Sequence, residues 1–178
     1  MSSIEQVLEN YDFTLLWPEH QIRPNEELVR ELEHVTGTYL PDDYRSFLLR
    51  YGAICPSGLK SDHLGVWAPG RQKVAPFSWF LGFFRADERH PGIHHSDLIQ
   101  AYREWNPQAG ATFLPIARGA QSEVFCLKLS GEQKGSICAW IPDPVQGETW
   151  DEMVQVYGLY CVAASIASFV ASIQEYPH

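Results

Sequence analysis

The stretch FLPIARGAQSEVFCLKLSGEQKGSICAWIPD, residues 113–143, decides the fold, because within it the apolar spacing leaves the helical period and becomes alternating. Strands are predicted at Phe113–Ala117, Glu123–Leu129 and Ser136–Ile141, the last two joined by the turn SGEQKG at 130–135. If Phe125, Leu127 and Leu129 share a face with Ile137, Ala139 and Ile141, parity requires a connection of odd length. Cys126 and Cys138 then share the opposite face with Trp140.

Outward from this sheet, toward the N-terminus, the period is helical. LPDDYRSFLLRYGA, residues 40–53, has Pro41 at a helix start, Asp42 and Asp43 near the positive end of the helix dipole, and Gly52 as the stop. Tyr44, Phe47, Leu48 and Tyr51 fall at i, i+3, i+4 and i+7 and so line one face committed to the core. An earlier helix opens at Pro24 with Glu26 and Glu27 in its first turn. It carries an apolar stripe of Leu28, Leu32 and Val35 and ends at Gly37. Before it come an amphipathic segment, Ile4–Tyr11, and a loop with Trp17-Pro18.

Residues 52–64, Cys55 among them, read as a loop, followed by strands at Leu64–Trp67 and Trp79–Phe84. A helix with Ser96 as N-cap is expected to bury Leu98, Ala101, Tyr102 and Trp105 and to stop at Asn106-Pro107. After the central sheet, the proline-rich IPDPVQGETWDE leads to a strand at Met153–Tyr157. A closing helix spans Val162–Ile173, with Ile166, Phe169, Val170 and Ile173 inward. Strands and helices do not alternate regularly, so the class is α+β, with one core in a chain of 178 residues.

The net charge of −9 is uneven: residues 1–43 hold ten acids against two bases, a net −8, while the remainder is nearly neutral at −1. Such a segment repels nucleic acid and anionic membrane and suits a basic protein partner. The start, MSSIEQVLENYDF, lacks the basic and apolar regions of a secretory signal, and YCVAASIASFVASI is too short for a membrane span, so a cytoplasmic location is expected. Cys55, Cys126, Cys138 and Cys161 lie 71, 12 and 23 residues apart with no close pair, which disfavours zinc knuckles and redox motifs and suits core thiols.

Candidate chemistry is sparse. His90, His94 and His95 cluster in RHPGIHH, but Pro91-Gly92 forbids the helix that would bring His90 and His94 onto one face, so no metal ligands are assigned. Adjacent acids at 42–43, 87–88 and 151–152 point apart and build no acid–base dyad. There is no nucleophile elbow and no phosphate loop, and a Cys–His pairing has only the loop position of Cys55 behind it. The aromatics of APFSWFLGFFR suit a buried strand better than a platform for bases. No catalytic residue and no cofactor is therefore expected. The acidic helix remains: Glu26 pairs favourably with Arg30, whereas Glu27 and Glu31 repel by only a few tenths of a kcal/mol, which a solvated face or a cationic partner would both accommodate.

Three segments in order, LPDDYRSFLLRYGA, FLPIARGAQSEVFCLKLSGEQKGSICAW and CVAASIASFVASI, resemble the SUKH superfamily of Smi/Knr-type domains, over roughly Glu26 to Ile173. Two places depart from that pattern: Tyr51-Gly52-Ala53 stands where an Asn-Gly pair is common, and Arg118-Gly119-Ala120-Gln121 replaces an Asp/Gly-rich loop. The resemblance implies one α+β domain, with residues 1–23 as an N-terminal extension and 24–174 as the core. It also implies a bacterial immunity protein that binds a cognate toxin domain, often a nuclease, or else a regulatory scaffold for an endogenous partner. A metal-dependent enzyme using the histidines is the remaining alternative. The family has no defining catalytic residues. The residues expected to meet a basic partner are Glu26, Glu27, Glu31, Glu33, Asp42 and Asp43.

Overall fold

The computed structural model describes residues 4–57, 63–69, 73–85, 91–109, 112–120, 122–141 and 160–176. At its centre are β8 (Phe113–Arg118), β9 (Val124–Lys128) and β10 (Ile137–Trp140). These join β6 (Trp79–Phe80) and β11 (Tyr160–Ala163) in an antiparallel sheet of order β11-β10-β9-β8-β6 among the described residues. The hairpin register pairs Ile137 with Leu127, Cys138 with Cys126 and Ala139 with Phe125. The connection is thus of odd length, and each predicted face holds. Phe125, Leu127, Leu129, Ile137, Ala139 and Ile141 enter the main core, while Cys126 and Trp140 face the other way, against Trp105. Gly131, Gln133 and Gly135 take left-handed φ of 75°, 61° and 92° to turn the chain within SGEQKG.

Both sheet faces are therefore covered. The main core gathers Phe77, Phe80, Phe125 and Phe169, with ring centroids 5.0 to 6.2 Å apart. Aromatic pairs at such separations gain about 1 kcal/mol beyond their area burial. On one side lies α5 (Ile166–Ala171), begun by a capping box in which the Ser165 and Ser168 side chains each accept the other's backbone N–H. Ile166, Phe169, Val170 and Ile173 are buried as expected, but the helix is shorter than Val162–Ile173. Val162 lies in β11, because its segment pairs with β10 before Ser165 can cap. On the other face lies α4 (Leu98–Ala109), where two expectations are corrected. Asp97, not Ser96, caps it: Asp97 Oδ1 accepts from Gln100 N–H at 2.9 Å and Oδ2 from Phe84 N–H at 3.0 Å, while Ser96 is buried. The helix also runs through Asn106-Pro107, where a proline near the end removes a single hydrogen bond.

The N-terminal half wraps this sheet with α1 (Ile4–Asn10), α2 (Glu26–Thr36) and α3 (Asp42–Tyr51). Residues of the segment expected as an extension take part in the same body. Val7 and Leu8 of α1 are core residues, β1 (Phe13–Leu15) pairs with β3 (Ile54–Pro56), and β2 (Gln21–Ile22) pairs with β7 (Phe83–Phe84). Cys55 consequently lies in a strand, opposite Thr14, and not in a loop. The run Trp79–Phe84 is split into β6 and β7 around Leu81-Gly82, because a Cβ on Gly82 would lie 2.6 Å from the Ala53 backbone N. A further sheet joins β4 (Leu64–Ala68), β5 (Lys73–Pro76) and β12 (Gln174–Glu175). The strand expected at 153–157 lies outside the described residues.

Candidate functional site: the α2–α3 face

Asn25 caps α2, whose first residue is Glu26, two later than the predicted Pro24; the Asn25 side chain accepts from Glu27 N–H and Leu28 N–H at 3.0 Å each. Gly37 ends the helix at φ 69°, the left-handed cap that lets Thr38 N–H return to Glu33 C=O at 3.2 Å. Between these caps the inward stripe is Val29, Leu32, Glu33 and Thr36, rotated by one position from the predicted Leu28, Leu32, Val35. Leu28 and Val35 pack partly buried at its edges.

That rotation carries Glu33 into the fold. Its Oε1 accepts from the buried Leu40 N–H at 3.1 Å and from Arg45 Nη1 at 3.1 Å, tying α2 to the connecting loop and to α3. Arg45 also holds Glu26 through Nη2. Two of the six expected contact residues thus have an ion-pair partner within the chain; for Glu33 the physical reason is that a carboxylate at 9% exposure requires a charged or hydrogen-bonded neighbour, whereas Glu26 meets Arg45 from the exposed surface. A sequence signal for this existed, since Glu33 completes the i, i+3, i+4, i+7 set that starts at Val29.

Glu27, Glu31, Asp42 and Asp43 remain exposed, with no ion pair among the described residues. Asp43 accepts from Tyr44 N–H at 2.8 Å at the head of α3. Glu31 borders a second recess, with Leu28, Arg85 and Gln100, on the side of α2 that faces α4. Glu27 and Glu31 thus belong to α2, and Asp42 and Asp43 to the first turn of α3.

A groove of about 730 Å³ runs past the end of α2, lined by Arg30, Glu33, His34, Thr38, Tyr39 and Arg45. Tyr39 is the most exposed large hydrophobic side chain described, at 79%. Its carbonyl accepts from Lys134 Nζ at 2.9 Å, which anchors the loop to the turn of the central hairpin. The sequence reading missed Tyr39, although an aromatic set between a helix stop at Gly37 and a helix start at Pro41 has little chance of burial.

The other candidates contribute less. His90 lies outside the described residues, and His95 Nδ1 sits 3.5 Å from Glu104 Oε2. Among the described residues no three His, Cys, Asp or Glu side chains gather closely enough for a metal ion. Burial raises the Cys55 thiol, pushes Cys138 up to about 11 and drives Cys126 higher still, so these sulfurs stay protonated. No helix among the described residues is long and apolar enough to cross a membrane.

No curated relative matches the chain. A family model does, over residues 23–172, from just before Asn25 to the end of the packed C-terminal helix. The chain belongs to the SMI1/KNR4 family (SUKH-1).

Proposed function

We propose that this protein is an immunity protein that binds a cognate bacterial toxin domain, a basic nuclease, and blocks it by covering its active or substrate-binding surface. The SUKH family is an immunity-protein family without an enzymatic role, which supports a protein partner. The observation that carries the charge argument is the exposure of Glu27, Glu31, Asp42 and Asp43, each free of an ion pair among the described residues. Unpaired surface carboxylates accelerate encounter with a cationic partner and imitate the charge of its substrate. Tyr39 supplies what charge alone does not, a rigid aromatic able to enter a pocket of the partner. Glu33, buried, and Glu26, exposed, both hold Arg45 and with it the shape of the groove.

The test is co-expression with the toxin domain encoded beside this gene, scoring survival and complex formation. Tyr39→Ala should speed dissociation by roughly tenfold or more, as for an anchor residue worth over ~1.4 kcal/mol. Failure of the wild-type chain to protect the cell or to form a complex would contradict the proposal.

A further inference from the structure

Trp79 of β6 and Arg118 of β8 are directly opposed across their strands, and Arg118 in turn opposes Val124 of β9, so all three side chains emerge on the face that α4 covers. Above them is a recess of about 510 Å³, closed by Trp105 and Glu104 of α4 and by the turn after Arg118. That turn is tightly built: a Cβ on Gly119 would lie 2.2 Å from the Pro76 carbonyl oxygen.

The recess holds a cation that Glu104 favours only electrostatically, without a hydrogen bond to it. Arg118 makes no hydrogen bond or ion pair through its side chain among the described residues, and its Nε is buried without a partner. Partial burial lowers the guanidinium from its ordinary value, and the neighbouring Cys126 and Glu104 work in the opposite direction. Glu104 lines the same recess, but its oxygens are engaged by Gln100 Nε2 at 3.1 Å and by His95 at 3.5 Å. Across the rung, Trp79 Nε1–H is likewise buried and unpartnered. Guanidinium and indole are donors only, so the missing group is an acceptor, and the partly buried positive charge makes it an anion.

We propose that this recess binds a small molecule bearing a single carboxylate on a flat apolar body, with Arg118 holding the carboxylate and Trp79 and Trp105 flanking the body. A carboxylate offers two oxygens to the guanidinium fork, and its one charge matches one arginine. A doubly charged phosphate would leave excess negative charge beside Glu104. The volume lies in the range of small-ligand sites and far exceeds a bare carboxylate. Because the two orphan N–H groups are shielded from water in the empty form, binding turns Trp79 and Arg118 toward the recess, and the indole N–H resonance reports it. The site is independent of the partner-binding face on α2 and α3.

The experiment titrates ¹⁵N-labelled full-length protein with indole-3-acetate and benzoate, with their neutral amides, with inorganic phosphate, and with a blocked Phe-Glu dipeptide. The expected result is a saturable shift of the Trp79 indole N–H with the two acids, at least tenfold weaker with the amides and with phosphate, and lost in Arg118→Met. Removing a partly buried cation that has no hydrogen bond should also raise the Tm of the ligand-free Arg118→Met protein. Trp79→Phe, followed through the Trp105 indole, should bind the acids roughly tenfold more weakly. Absence of a saturable shift, equal response to acid and amide, or tighter binding of phosphate would overturn the proposal. A lowered Tm for Arg118→Met would do the same, by showing that the guanidinium is already satisfied within the chain. Tighter binding of the dipeptide would place the carboxylate on a partner chain and overturn the small-molecule assignment. The comparison of acid with amide needs no variant and decides the matter even if Arg118→Met does not fold.

Discussion

The central sheet and the α2–α3 face obey different rules although they touch. In β9 and β10 nearly every side chain is buried, whichever face it occupies, so residue type is dictated by volume and shape. On α2 the inward quarter is equally constrained, while Glu27 and Glu31 face solvent and leave stability almost indifferent to their identity. The two regions divide the labour: rigidity is written where there is no room to vary, and the recognition proposed for α2 falls where variation costs little.

That contrast can be broken by substitution. Phe125→Ala or Phe169→Ala, each at a fully buried ring in the aromatic cluster, should cost about 3–5 kcal/mol in urea unfolding. A cost near zero would mean that the cluster is not the core. Glu33→Ala strands the buried Leu40 N–H and one side of Arg45, whose side chain is only a quarter exposed. It should cost about 2 kcal/mol, less than a fully buried pair because water reaches the arginine. A cost of a few tenths would return Glu33 to the surface group. Asn25→Ala removes two accepted hydrogen bonds at the N-terminus of α2 and should cost about 1 kcal/mol. Glu27→Lys with Glu31→Lys is the smallest: one like-charge i, i+4 pair replaces another, so only the favourable dipole contact of residue 27 in the first turn is lost, and on an exposed face this leaves stability within about 0.5 kcal/mol. A larger loss in the double variant would erase the distinction between the two regions.

The same contrast explains what could be read without coordinates. The hairpin faces of β9 and β10, the inward set of α3 and the four buried residues around α5 followed from periodicity, because a side chain on a regular element has no choice of direction. The three-residue strand at Cys55 did not, nor did the split between Phe80 and Phe83, because both are settled by distant partners: Thr14 pairs with the first and Ala53 crowds the second. Capping by Asp97 was hidden for a similar reason, since the carboxylate answers Phe84 as well as its own helix. In the α2–α3 site the acidic character was legible from residue type, whereas the burial of Glu33 was legible only from its position in the set with Val29, Leu32 and Thr36, because a charged side chain does not mark the inward face by its own polarity. The Arg118 recess left no local signal at all. Its elements come from β6, β8 and α4, and only the sheet register places Trp79 against Arg118.

The most direct measurement is the association rate constant of the purified protein with the neighbouring toxin domain, by stopped flow across a salt series, for wild type and for Glu27→Lys with Glu31→Lys. Electrostatic steering by the acidic helix requires a wild-type rate that falls steeply with salt, and a double variant slowed by about tenfold or more at low salt with its stability intact. A double variant that associates as fast as wild type at low salt would contradict recognition by this face.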